Sequence, residues 1–109
     1  MRMWNINPEL LCRQHLLGEH KEVHMFAGTI SKGISINGYL SKRLVNPRRI
    51  ATRHHELAEE MARRGYNHKS PMDIDCSNFT DNPVSIPHNR AELIRRCPDC
   101  AERILQKEE

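Results

Sequence analysis

Residues 7–28, N-P-E-L-L-C-R-Q-H-L-L-G-E-H-K-E-V-H-M-F-A-G, decide the class of the fold. Asn7-Pro8-Glu9 reads as an N-cap, a first-turn proline and a first-turn acid, residue types that satisfy or complement the free N–H groups at a helix start. Leu10, Leu11, Leu16, Leu17, Val23 and Phe26 then fall mostly on one stripe, which predicts a helix from Asn7 to about Gly28 with Gly18 as a mild break. Gln14, His15, Lys21 and Glu22 lie at or beside the edge of that stripe.

Working outward, Asn46-Pro47 repeats the start signal, and Ile50, His54, Leu57 and Met61 keep one helical face until Gly65 supplies a stop. Glu59 with Arg63 and Glu60 with Arg64 are i,i+4 pairs on this helix. A third helix is predicted from Asn89, where Glu92 completes a capping box, and Pro98 interrupts it; residues 99–106 continue it or form a kinked last helix. Between these elements, periodicity disappears from Thr29 to Val45, where Gly33 and Asn37-Gly38 indicate a loop with one hairpin-like turn. Ser70-Pro71 to Pro83 reads as a long irregular connection. The expectation is an all-α, compact single domain over residues 1–109, with three main helices joined by long loops.

With 109 residues, 28% of them charged and only 5% aromatic, the chain suits a helical domain better than a β-sandwich. The formal charge of +3 says little about partners. Clustering says more: Lys42-Arg43, Arg48-Arg49, Arg53, Arg63-Arg64 with His68-Lys69, and Arg95-Arg96 could track phosphates, although solvated helix faces explain such runs as well. No stretch approaches the roughly 20 apolar residues of a membrane span, and the N-terminus lacks a signal-peptide pattern. A soluble, cytoplasmic protein, monomeric and without leader or membrane partner, is expected.

In that compartment four cysteines serve as thiols or metal ligands rather than disulfides. Cys97-Pro98-Asp99-Cys100 is a C-x-x-C, and Cys12 and Cys76 could complete a four-thiolate structural zinc site; the alternative is four core thiols. His20 and His24 at i,i+4, with His54-His55 on the second helix, could serve a metal-dependent nuclease. Chance spacing among seven histidines is the stronger explanation, and no H-E-x-x-H accompanies them.

Three anchors in fixed order carry a resemblance: Arg2 to Asn5 followed by Q-H-L-x-x-E-x-K-E at 14–22, R-G-Y-N at 64–67 after a helix, and I-P-H at 86–88 before the last helix. On these the chain resembles the phage pyrimidine-dimer DNA glycosylase and AP lyase family, the endonuclease V type that cuts at ultraviolet lesions. The resemblance implies that an N-terminal α-amine attacks C1′ of the damaged nucleotide, a role that falls to Met1, and that the paired carboxylate is Glu22. It further implies that Arg2, Gln14, His15, Lys21 and Lys32 line the site or bind DNA. The implied partner is damaged double-stranded DNA, and no cofactor is implied for catalysis.

The chemistry needs these residue types. Only an amine forms a Schiff base at C1′, and an α-amine, with a reference pKa of about 7.7–8.0, is partly unprotonated near neutrality where a lysine amine is almost wholly charged. A bulky Arg2 is expected to keep Met1 in place, whereas the known enzyme loses its methionine to expose a small second residue.

The chain departs from the family pattern at Met25, where a basic residue is expected, and at Pro98 and Glu102 on the last helix. It ends in L-Q-K-E-E instead of an aromatic, basic tail. A noncatalytic nucleic-acid- or protein-binding module on the same scaffold is therefore the alternative. Borohydride trapping separates the two, because only an imine former becomes covalently attached to DNA.

Overall fold

The computed structural model describes residues 1–67 and 71–107, and among these no strand occurs. The helices are α1 (Arg13–Ser31), α2 (Asn37–Ser41), α3 (Ile50–Arg63), α4 (Ile86–Arg96) and α5 (Pro98–Lys107), with single 3-10 turns at Pro8–Leu10 and Pro47–Arg49. The all-α expectation holds, but four longer helices replace the three predicted. Cys97 takes an extended conformation (φ −131°, ψ 106°), so Pro98 opens a separate helix rather than kinking one. Ser70 of the expected connection and His68-Lys69 of the basic run lie outside the described residues.

The first helix begins later than the periodicity suggests. Asn7 caps only the 3-10 turn, its side chain accepting from Glu9 N–H; Leu11 and Cys12 are then extended, and the Cys12 sulfur caps α1 by accepting from His15 N–H. The physical reason lies elsewhere in the chain. Arg64 Nη2 donates to the carbonyls of Pro8 and Leu11 at 3.2 and 2.7 Å, and Arg103 donates twice to Glu9 O at 3.0 and 2.8 Å. Carbonyls that a continuous helix would use internally are thus taken by two guanidinium groups. At the other end α1 runs past Gly28 to Ser31, because Gly33, at φ +72°, supplies the left-handed residue that a helix stop favours.

The Asn37-Gly38 turn is a short helix instead of a hairpin, because its Tyr39 ring packs edge-on against Phe26 of α1, with centroids 5.1 Å apart. Helix α3 follows its 3-10 entry as expected, and Gly65 at φ +79° ends it. Helix α4 starts at Ile86, not Asn89. Ser85 caps it by accepting from His88 N–H, and Glu92 pairs with Arg95 and Arg96 rather than closing a capping box. Asn89 is buried for a different purpose, given below.

The core is one continuous apolar cluster in which α1 packs along α3, and α5 packs on α4 and on the first 3-10 turn. Leu16, Val23 and Phe26 of α1, Ile50 and Leu57 of α3, and Leu93 and Ile104 of the last two helices are wholly buried. Each such side chain contributes about 1.5–3 kcal/mol of transfer free energy. The irregular segment before α4 is tied down at Asn46 and Asn82: Asn46 bonds Asp81 and Asn82, and Asn82 Nδ2 reaches the carbonyls of Leu40 and Val45. Among the described residues no helix is long and apolar enough to cross a membrane.

Candidate active site

Residues 1–6 form no regular element, yet their main chain is held almost atom by atom. Met3 N–H donates to Leu44 O, and buried Asn89 Nδ2 donates to the carbonyls of Met3 and Trp4 at 3.3 and 2.9 Å. Arg53 Nη1 donates to Ile6 O at 2.7 Å. Asn5 adopts φ +56°, a left-handed conformation that asparagine tolerates better than most residues, and its side chain accepts from Arg49. Side chains of α3 and α4 thereby do for this segment what a β-ladder would do for a strand.

Beneath it lies a buried ion pair. Glu19 and Arg53, each 1% exposed, meet through Nε at 2.6 Å and Nη2 at 2.9 Å, and Asn5 N–H adds a third donor to the carboxylate at 3.4 Å. Burial pushes the Glu19 carboxyl up, and the bidentate guanidinium opposes that shift. Both residues were visible in the sequence as charges on otherwise apolar faces: Glu19 between Leu16 and Val23, Arg53 between Ile50 and Leu57. A charge on a face that is otherwise buried asks for a partner.

Against the front of this segment opens a cleft of about 430 Å³. Met1, Arg2, Gln14, His15 and Glu22 of the sequence expectation all line it, together with Arg96 from the end of α4. Glu22 accepts from the Arg2 main-chain N–H at 3.3 Å, which puts the carboxylate one residue from the chain's first nitrogen. The Arg2 guanidinium lies 4.6 Å over the Trp4 ring and donates to Asn89. Its burial, and next the neighbouring Arg96, lower its pKa, the expected response of two cations facing one cleft. Lys21 and Lys32 are exposed and do not line the cleft; Lys32 caps the far end of α1, about 15 Å from Glu22 along the helix.

The wall behind His15 holds a second constellation. Cys12, His15, Cys97 and Cys100 bring their ligand atoms within 4.8 Å of one another, so the group that assembles contains His15 in place of Cys76. Cys76 lies with Pro47, Arg48 and Ala51 around a separate pocket, carried there by the segment before α4. Cys12 Sγ is 3.8 Å from Cys97 Sγ, and His15 Nδ1 lies 3.3 and 3.5 Å from the sulfurs of Cys12 and Cys100. Zn–S and Zn–N bonds of about 2.3 and 2.0–2.1 Å in a tetrahedron place sulfurs about 3.8 Å apart and sulfur from nitrogen about 3.5 Å apart. Burial pushes the Cys100 thiol up to about 12, while Cys97 is held low despite burial by hydrogen bonds from Cys100 and Cys12. Three separations near these values, in a group of four ligand atoms within 4.8 Å of one another, are compatible with a structural zinc.

A family model described as pyrimidine dimer DNA glycosylase matches residues 1–74. The chain belongs to this family. No curated protein and no solved structure matches it. The pyrimidine dimer DNA glycosylase match takes in nine of the cleft's ten lining residues, all but Arg96. It takes in Cys12 and His15 but not Cys97 and Cys100. The cysteine cluster therefore joins the glycosylase-family portion to the two C-terminal helices.

Proposed function

We propose that this protein is a bifunctional DNA glycosylase and AP lyase that removes a pyrimidine dimer or a related damaged base through an imine formed by the α-amine of Met1. The observation that carries the reading is the cleft that combines Met1 with the Glu22 carboxylate, held on Arg2 N–H, in a chain of this family. The amine attacks C1′, and the glycosidic C–N bond breaks as the base leaves with its electron pair. Ring opening at O4′ then gives the imine. A base takes the acidified 2′-hydrogen, the C3′–O bond breaks by β-elimination, and water releases the enzyme. Glu22 stabilises positive charge at the sugar and then carries protons. Arg2, Gln14, His15 and Arg96 face the bound strand, and Lys21 and Lys32 contact flanking phosphates.

Sodium borohydride with DNA carrying a pyrimidine dimer or an abasic site tests the reading: a covalent protein–DNA adduct is expected. Its absence on both substrates would favour the noncatalytic binding module. Glu22→Gln keeps the shape and deletes the charge, so turnover should fall about 100-fold or more while DNA binding is spared. Near wild-type strand cleavage by this variant would assign the proton work to another group.

The Cys12–His15–Cys97–Cys100 cluster is the proposed structural zinc site, closed by four protein ligands and so without an open position for chemistry. Brief EDTA treatment should leave imine trapping intact, and Cys97→Ser should lower both the zinc content and the melting temperature. Rapid loss of cleavage on chelation, restored by magnesium or manganese, would overturn the metal-independent mechanism.

A further inference from the structure

His20 and His24, one turn apart on α1, meet His54 of α3, and the three imidazoles bring a ligand nitrogen each within 4.8 Å of one another. Nothing in the proposed glycosylase chemistry uses them, and none of the three lines the cleft. Their rings are mutually packed, with centroid separations of 4.8, 4.9 and 4.7 Å, and His20 Nε2 lies 3.2 Å from His54 Nε2. Two nitrogens bound at about 2.0–2.1 Å to a tetrahedral ion stand about 3.3–3.4 Å apart, so this spacing suits shared coordination. Among the described residues His24 Nε2 is buried and meets no hydrogen-bond partner, a cost that a ligand bond would remove.

We propose that His20, His24 and His54 form a metal site for a divalent transition ion of the zinc or cobalt kind, clamping α1 to α3. The donor set selects the ion class: neutral imidazoles suit zinc, cobalt, nickel and copper, whereas calcium and magnesium require oxygen ligands. His54 is buried while His20 and His24 are half-buried, so the ion sits at the rim of the helix seam. Three protein ligands leave a position for water, but the site's place outside the Met1–Glu22 cleft makes its role structural. It ties together the two helices that carry Glu22 and Arg53.

The test uses Co²⁺, whose spectrum reports its ligands. Equilibrium dialysis of the full chain should show one equivalent of Co²⁺ that persists in Cys97→Ser and gives visible d–d bands without sulfur-to-cobalt charge transfer. His24→Gln, at a half-buried position, should weaken that equivalent by about 100-fold or more, beyond what loss of an outer-shell partner costs. With the cysteine site already filled by zinc, excess Co²⁺ should raise the melting temperature of the parent by more than that of His24→Gln. Should Cys97→Ser fail to fold, the same difference between the parent and His24→Gln decides the matter within the cysteine-intact proteins. Binding unchanged in both His24→Gln and His20→Gln, or cobalt spectra that are entirely thiolate in character, would overturn the proposal.

Discussion

Extending the chain by one residue ahead of Met1, or leaving its amine formylated, is expected to reduce borohydride trapping on abasic DNA to background. Fold and most DNA affinity should survive. The expectation follows from how the segment is held. Hydrogen bonds to Leu44, Asn89 and Arg53 fix the main chain from Met3 to Ile6, and Arg2 N–H is fixed on Glu22, so the position of the first amine has little slack. An added residue either moves the amine by up to about 3.8 Å or displaces Met1 from the cleft. Covalent chemistry requires reacting atoms about 3–3.5 Å apart, and a 1 Å misplacement alone can cost about 100-fold. A formyl group removes the nucleophilic lone pair outright. Lysine side chains elsewhere provide an internal control, because trapping that survives blockage with full yield would assign the imine to one of them. Peptide mapping of the adduct should place the DNA on residue 1.

Arg53→Met should destabilise the protein by about 3–5 kcal/mol, the cost of stranding a buried carboxylate without its cation. Glu19 is 1% exposed and receives two of its three hydrogen bonds from Arg53, so the variant keeps only the Asn5 N–H at 3.4 Å. Burial already pushes the Glu19 carboxyl up, and without Arg53 nothing of comparable strength opposes it. In the variant the folded state therefore binds a proton more tightly than the unfolded chain. A group with a raised folded pKa contributes stability below its unfolded pKa, about 4.3 for glutamate, and loses it as pH rises. The gap between variant and parent should accordingly narrow as pH falls toward that value. Urea denaturation at pH 7 and pH 5 measures both effects. The double variant Glu19→Leu/Arg53→Met should recover most of the loss, since an apolar pair of similar volume can replace a buried ion pair at little cost. A single variant within 1 kcal/mol of the parent would mean water reaches Glu19 when Arg53 is gone.

Local chemistry was legible wherever neighbours in sequence decide it. The amphipathic stripe of α3, that of α1 from Leu16 onward, the Asn46-Pro47 entry and the Gly65 stop all depend on residues within one or two turns, and they stand where the pattern places them. Two of the three anchors, the one ending at Glu22 and R-G-Y-N at 64–67, lie within the matched residues, and with them the family to which the chain belongs was legible. The C-x-x-C was visible as a pair of ligands seeking others.

What the tertiary structure decided were matters of partners distant in sequence. The start of α1 moved to Arg13 because Arg64 and Arg103, more than 50 residues away, compete for the carbonyls of the preceding turn. Asn89 read as a helix cap and became a clasp on Met3 and Trp4, since Ser85 already met the free N–H of the turn. His15 displaced Cys76 from the cysteine group because the sulfur cap of Cys12 turns the first rung of α1 toward α5, while the segment carrying Cys76 folds against Pro47 and Arg48. Helical periodicity states which face of an element is buried; the identity of the opposing groups follows from chain topology, and only the folded chain brings Met1, Glu22 and Arg96 to one cleft.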